Sequence, residues 1–137
     1  MESTIMSKIL AKTYQMCPLG FPHQGEIYKV YFNPKKGKEI GKIRPALVIS
    51  NNAQNEFDDQ IVVVPLTSEA EEVKKERPFT VLIKVNQENG LEKTSKILLN
   101  RIQTIDIKLR LRDYIGHTSP EIIKQAQEAL KVVADID

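Results

Sequence analysis

Arg44 stands where a basic loop runs into an apolar strand, and a proline follows it directly. Proline biases its predecessor away from helical backbone, which fixes Arg44 at the junction of loop and strand. The loop carries Lys35, Lys36, Lys38 and Lys42, opposed there only by Glu39. A second apolar run, Ile61 to Leu66, ends in two hydroxyls, Thr67 and Ser68. A guanidinium with its fork of donors, a hydroxyl and a carboxylate at the ends of two buried strands form a set that can handle a phosphate. The lysines add a field that attracts a polyanion. Solvation of a surface loop is the plainer reading of any one of them.

The elements that position these groups belong to a chain of 137 residues, one domain's worth and long enough for a hydrophobic core. Its apolar share of 41% and charged share of 28% are ordinary for a globular protein, and a net charge of +2 does not by itself argue for nucleic acid. Cys17 is the single cysteine, which excludes an intrachain disulfide and a thiol metal cluster, and it reads as incidental. With neither a membrane-length apolar run nor a secretory segment, a cytoplasmic protein is expected.

Residues 1–24 read as an extension. Ile5, Met6, Ile9, Leu10 and Tyr14 recur at helical spacing, and the Cys17 to Pro22 run then breaks the helix into a linker. The body, residues 25–137, begins with a strand from Ile27 to Phe32. Further strands are expected at Pro45 to Ser50, Ile61 to Leu66, Phe79 to Val85, Ser95 to Thr104 and Asp113 to His117. Asn51 to Gln60 and Glu69 to Arg77 read as polar loops, and Asn89-Gly90 as a turn. Thr118-Ser119-Pro120-Glu121 opens a closing helix whose apolar face runs through Ile122, Ile123, Ala126, Leu130 and Val133. The fold expected is mainly β of the α+β class: a small, bent barrel with a C-terminal helix and a short N-terminal helical extension.

Several segments in order resemble the PemK/MazF family of toxin endoribonucleases. They are Gly25-Glu26-Ile27-Tyr28, the Gly37-x-Glu39-x-Gly41-x-x-Arg44-Pro45-Ala46-Leu47-Val48-Ile49 segment, Val64-Pro65-Leu66-Thr67-Ser68, and Ile97 to Asp106. The resemblance implies an SH3-like barrel, a two-fold homodimer, cleavage of single-stranded RNA without metal or other cofactor, and neutralisation by an antitoxin protein. It implies catalytic roles for Arg44 and Thr67 and a loop carboxylate at Glu39. Ile40 stands where many relatives have glutamine, and Arg101 where some do, which bears on the RNA sequence preferred.

RNA supplies its own nucleophile, the 2′-OH, so the enzyme must take that proton, stabilise the phosphorane-like transition state and protonate the leaving 5′-oxygen. Arg44 and Thr67 are assigned to transition-state stabilisation, with Ser68 as auxiliary. Glu39 is an easier proton acceptor than Arg44, because a guanidinium titrates far above neutral pH; its other reading is the partner that orients Arg44. Lys35, Lys36, Lys38, Lys42, Arg101 and Gln103 are read as RNA-binding. Tyr28, Tyr31 and Phe32 can stack on bases, with core packing the better reading for at least two of them. His23 and His117 are weighed as an acid–base pair and set aside, since no motif surrounds them. The rival readings are a non-catalytic barrel that binds a protein such as DNA gyrase, and an inactive homologue that binds RNA or antitoxin.

Overall fold

Alternation along Glu26–Phe32 makes it the first strand, β1: Tyr28, Val30 and Phe32 are buried on one face, while Lys29 on the other is exposed. The computed structural model describes residues 13–32 and 42–137; the helix expected around Ile5 to Leu10 lies outside them. β2, Lys42–Val48, runs antiparallel to β1, with Tyr28 opposite Ala46 and Val30 opposite Arg44. β3 is Gln60–Thr67, β4 Thr80–Ile83, β5 Ser95–Leu98, β6 Gln103–Asp106 and β7 Leu111–His117. Among the described residues the α-helical segments are α1 Asn52–Phe57, α2 Ala70–Lys74, α3 Ile107–Arg110 and α4 Pro120–Ala134. The result is a seven-stranded antiparallel sheet in the order β4-β5-β3-β2-β1-β7, with β6 also on β3.

β3 is shared by three other strands. One edge pairs with β2; the other pairs with β6 from Gln60 to Val63 and with β5 at Leu66 and Thr67. A 3-10 turn at Leu99–Arg101 carries the chain from β5 to β6. The single strand expected over Ser95 to Thr104 is therefore two. Short helices also replace the loops expected at Asn51 to Gln60 and Glu69 to Arg77. α1 forms because Asn51 caps it, its side chain accepting from the Gln54 N–H at 2.8 Å.

Apolar residues fill both faces of the central strands. Tyr28, Val30, Ala46, Val48, Ile61 and Val63 build one core with Ile105, Ile107 and Leu111. Ile27, Leu47, Val64, Leu66 and Ile97 build the other, which Ala126 and Ala129 of α4 cover. Ser119 caps α4 as expected, accepting from the Ile122 N–H at 3.2 Å, and Pro120 occupies its first turn.

Asn89-Gly90 forms a turn, as expected. It sits in the long β4–β5 connection, where the fully buried Asn89 side chain donates to the Lys84 carbonyl at 2.8 Å and accepts from the Asn86 and Leu91 N–H groups. This internal bracing shapes a loop that lies on β7, where the His117 N–H reaches the Glu88 carbonyl at 2.9 Å. Gly90 adopts a left-handed φ of 65°, and a Cβ built on Gly116 would stand 2.3 Å from the Glu88 oxygen. Backbone meets backbone at this point, and the contact links the β4–β5 end of the sheet to the β7 end.

Residues 13–22 lie against the first core. Tyr14 and Cys17 are buried in it, and Met16 and Phe21 pack beside them. Cys17, read from sequence as incidental, is thus a packing residue whose thiol shares a hydrogen bond with Tyr28. Tyr28 Oη also donates to Glu26 Oε1 at 2.9 Å. Burial holds the Tyr14, Cys17, Tyr28 and Tyr114 protons above their usual range. The folded state therefore keeps protons that the unfolded chain gives up from about pH 9 for the thiol and pH 10 for the phenols. Their contribution to stability should be level below about pH 8.5 and fall above it, by up to about 1.4 kcal/mol per pH unit for each group fully ionised when unfolded. Urea unfolding at pH 7, 9 and 10.5 measures this, and Tyr28→Phe should flatten the decline. A midpoint constant to pH 11 would contradict it.

Candidate active site

The β2–β3 ladder runs Val48 to Val63, Leu47 to Val64 and Ala46 to Pro65. Pro45 and Pro65 lack an N–H to continue it, so the ladder stops there. Continued by two residues on each strand, the same register sets Arg44 against Thr67. Directly opposed residues of an antiparallel pair share a face. On β2 and β3 that face is the first core, which runs out from Ile61 and Val63 through Pro65 to Thr67. The chemical groups thus stand where an apolar face reaches the strand ends.

Arg44 is half-buried and pairs with Val30 on its β1 side. Thr67 is 4% exposed, and its Oγ1 accepts from the Glu69 N–H at 3.2 Å. That bond occupies one lone pair and leaves the hydroxyl proton available for donation. Across β3's other edge, Thr67 pairs with Lys96 of β5. The sequence reading missed Lys96, which lies within an apolar stretch; only its charge among Ile97, Leu98 and Leu99 marks it.

Other predicted site residues disperse. Ser68 follows Thr67 onto the opposite side, where it lines a cleft of about 500 Å³ with Lys29, Pro45, Ser95 and Asp113. Gln103 is half-buried on β6 opposite Val63, and Arg101 is exposed in the turn before it, both along the β3 edge that Lys96 shares. Lys42 is exposed at the start of β2 with a left-handed φ of 64°, a conformation uncommon outside glycine and asparagine. Glu39, Lys35, Lys36 and Lys38, with Ile40, lie outside the described residues.

The aromatic residues divide as the strand alternation implies. Tyr28 and Phe32 are core. Tyr31 is half-buried on the other face, with the Arg110 and Arg112 guanidinium carbons 5.5 and 5.8 Å from its ring centre. The histidines sit at the far end of β1. His117 faces Glu26 across the β1–β7 ladder, and the His23 N–H donates to Glu26 Oε1 at 2.6 Å. Glu26 is four residues from Val30, the partner of Arg44, or about 13 Å at strand rise. Among the described residues no cluster of His, Cys, Asp and Glu can hold a metal ion. No described helix is long and apolar enough to cross a membrane.

Comparison with known proteins joins this geometry to a family. The family model described as PemK-like, MazF-like toxin of type II toxin-antitoxin system matches residues 23–134. Endoribonuclease EndoA of Bacillus subtilis is 37% identical over 109 residues, covering 80% of this chain and 90% of that protein. In structure, the chain resembles MazF from Deinococcus radiodurans with a TM-score of 0.71 at 24% identity, over 85% of this chain and 98% of that one. It also resembles a mycobacterial endoribonuclease solved in complex with its cognate antitoxin, with a TM-score of 0.67 at 24% identity, over 85% and 97%. These likenesses establish the fold.

Proposed function

Because this chain belongs to the PemK-like, MazF-like toxins of type II toxin-antitoxin systems, we propose that it is a toxin endoribonuclease whose reaction is carried out by Arg44 and Thr67. The observation that supports the proposal is the β2–β3 register, which, continued two residues past its last pair, sets Arg44 opposite Thr67. The substrate is single-stranded RNA. The 2′-oxygen attacks the adjacent phosphorus, the bond to the 5′-oxygen breaks, and the products carry a 2′,3′-cyclic phosphate and a 5′-OH.

Charge builds on the non-bridging oxygens as phosphorus becomes five-coordinate. Arg44 meets it with charge and paired N–H donors, Thr67 with the hydroxyl proton its bond from Glu69 leaves available. Held in place before the substrate arrives, such donors do not reorganise during reaction, and one of them is typically worth on the order of 3 kcal/mol. Glu39 serves either as the base that takes the 2′-proton or as the group that orients Arg44. Lys35, Lys36, Lys38, Lys42, Arg101 and Gln103 hold the RNA backbone and make affinity fall as salt rises. Ser68 has an auxiliary place at most, given its opposite-facing cleft. The protein works as a homodimer in the cytoplasm and is silenced by an antitoxin that covers the RNA groove.

The test is incubation of purified protein with a long single-stranded RNA in EDTA. Discrete fragments ending in cyclic phosphate are expected. Intact RNA across several sequences, from folded protein free of antitoxin, would instead favour a barrel that only binds.

A further inference from the structure

Thr67 has a neighbour on each side. Arg44 faces it from β2 by the continued register, and Lys96 pairs with it directly from β5. Neighbouring strands lie about 4.8 Å apart, so the three backbone positions span roughly 10 Å, within which both long side chains can reach one phosphate. The three groups share one face because opposed residues on an antiparallel ladder do.

Lys96 is unusual in its own right. It is 7% exposed, although lysine is rarely buried without a partner. Among the described residues it forms no hydrogen bond or ion pair that would account for its place. Tyr14 Oη is the one fully buried side-chain polar atom there without a partner, so the Lys96 ammonium ends a packed stem without being wholly sealed from solvent. β5 and the turn after it are otherwise apolar at Ile97, Leu98 and Leu99. An aliphatic residue would pack at position 96 without holding a charge there.

From this we infer that Lys96 is a further catalytic residue, the proton donor to the leaving 5′-oxygen, an inference that rests on the nuclease reading above. In-line displacement sets the entering 2′-oxygen and the leaving 5′-oxygen on opposite sides of phosphorus. Thr67, at the middle of the row, addresses a non-bridging oxygen, and the two cations flank it. Of the two cations only the lysine ammonium can give up a proton near neutral pH, since the guanidinium of Arg44 titrates far above it. Lys96 takes the leaving side. As the bond from 2′-oxygen to phosphorus forms and that to the 5′-oxygen breaks, the electron pair stays on the 5′-oxygen, which takes a proton from Nζ. The amine then regains a proton from solvent.

The experiment compares the natural RNA linkage with one in which sulfur replaces the bridging 5′-oxygen, built at a cleavage site mapped with the wild type. A thiolate leaves without being protonated. Lys96→Met keeps the packed stem and removes the charge, and thermal melting confirms that it folds. On the oxygen linkage Lys96→Met should lose about 10²-fold or more in single-turnover rate. On the sulfur linkage it should match the wild type, and Lys96→Arg, which keeps the charge but gives up a proton far less readily, should stay slow on the oxygen linkage. Wild-type speed of Lys96→Met on the oxygen linkage would overturn the inference. Equal losses on both linkages would also overturn it, leaving Lys96 a phosphate anchor. Failure of the wild type to cleave either RNA would instead overturn the nuclease chemistry beneath it.

Discussion

Arg44→Ala should abolish RNA cleavage while leaving the protein folded, a loss of at least about 10³-fold in rate. The magnitude follows from what is removed: a full charge and a planar pair of donors, where loss of one neutral donor in comparable sites already costs 10²- to 10³-fold. The side chain lies at the outer end of β2, half-buried, beyond the last ladder pair with β3. Its removal opens no cavity in either core, so the melting temperature should move by only about 2 °C. Arg44→Lys restores charge without the fork and should recover only part of the rate. Single-turnover cleavage beside thermal unfolding measures both effects. A variant that melts early and cleaves normally would place the chemistry elsewhere and leave Arg44 a structural residue.

Gly116→Ala should act in the reverse manner, with a large effect on stability and little on the chemistry of the molecules that remain folded. A methyl group there would meet the Glu88 oxygen at 2.3 Å and the Asn89 carbonyl carbon at 2.6 Å. Both are backbone atoms of a loop braced from within by Asn89, so neither can swing aside. Overpacking of this kind costs about 3 kcal/mol, which for a chain of this size lowers the melting temperature by roughly 10 °C. Gly90→Ala should act in the same direction, since its Cβ would lie 2.3 Å from the Ile115 oxygen and its φ of 65° disfavours a side chain. The two substitutions break one contact, so the double variant should lose less than the sum. A melting temperature unchanged in Gly116→Ala would mean that the loop and β7 do not press together.

Arg44 and Thr67 were legible because strand ends leave local marks: a proline after the arginine, and hydroxyls after a run of valines. Their opposition was not, because it depends on register, which the pattern along one strand does not reveal. Alternation showed that β3 is buried on both faces, yet nothing in its valines tells that its second edge changes partner midway. That change splits Ser95 to Thr104 into β5 and β6, and it puts Lys96 beside Thr67. The helices α1 to α3 escaped for a related reason. Each is a few residues long and polar enough to read as loop, and α1 and α3 are held by one side-chain cap apiece, from Asn51 and Asp106. Cys17 was misjudged because prolines on its flank indicate a turn and are silent about what the turn rests on. Family resemblance supplied what register could not, the proposal that Arg44 and Thr67 act together.

Thr67 ends the strand that three others share, and this has a consequence for how the enzyme fails. Contacts between β3 and its partners join residues far apart in the chain, which makes assembly slow and local fraying near the strand difficult. The hydroxyl cannot drift out of place while β2, β5 and β6 remain paired around it. Heat or denaturant should therefore not pass this protein through a folded but inert stage: its working lifetime is the waiting time for global unfolding, a single rate constant.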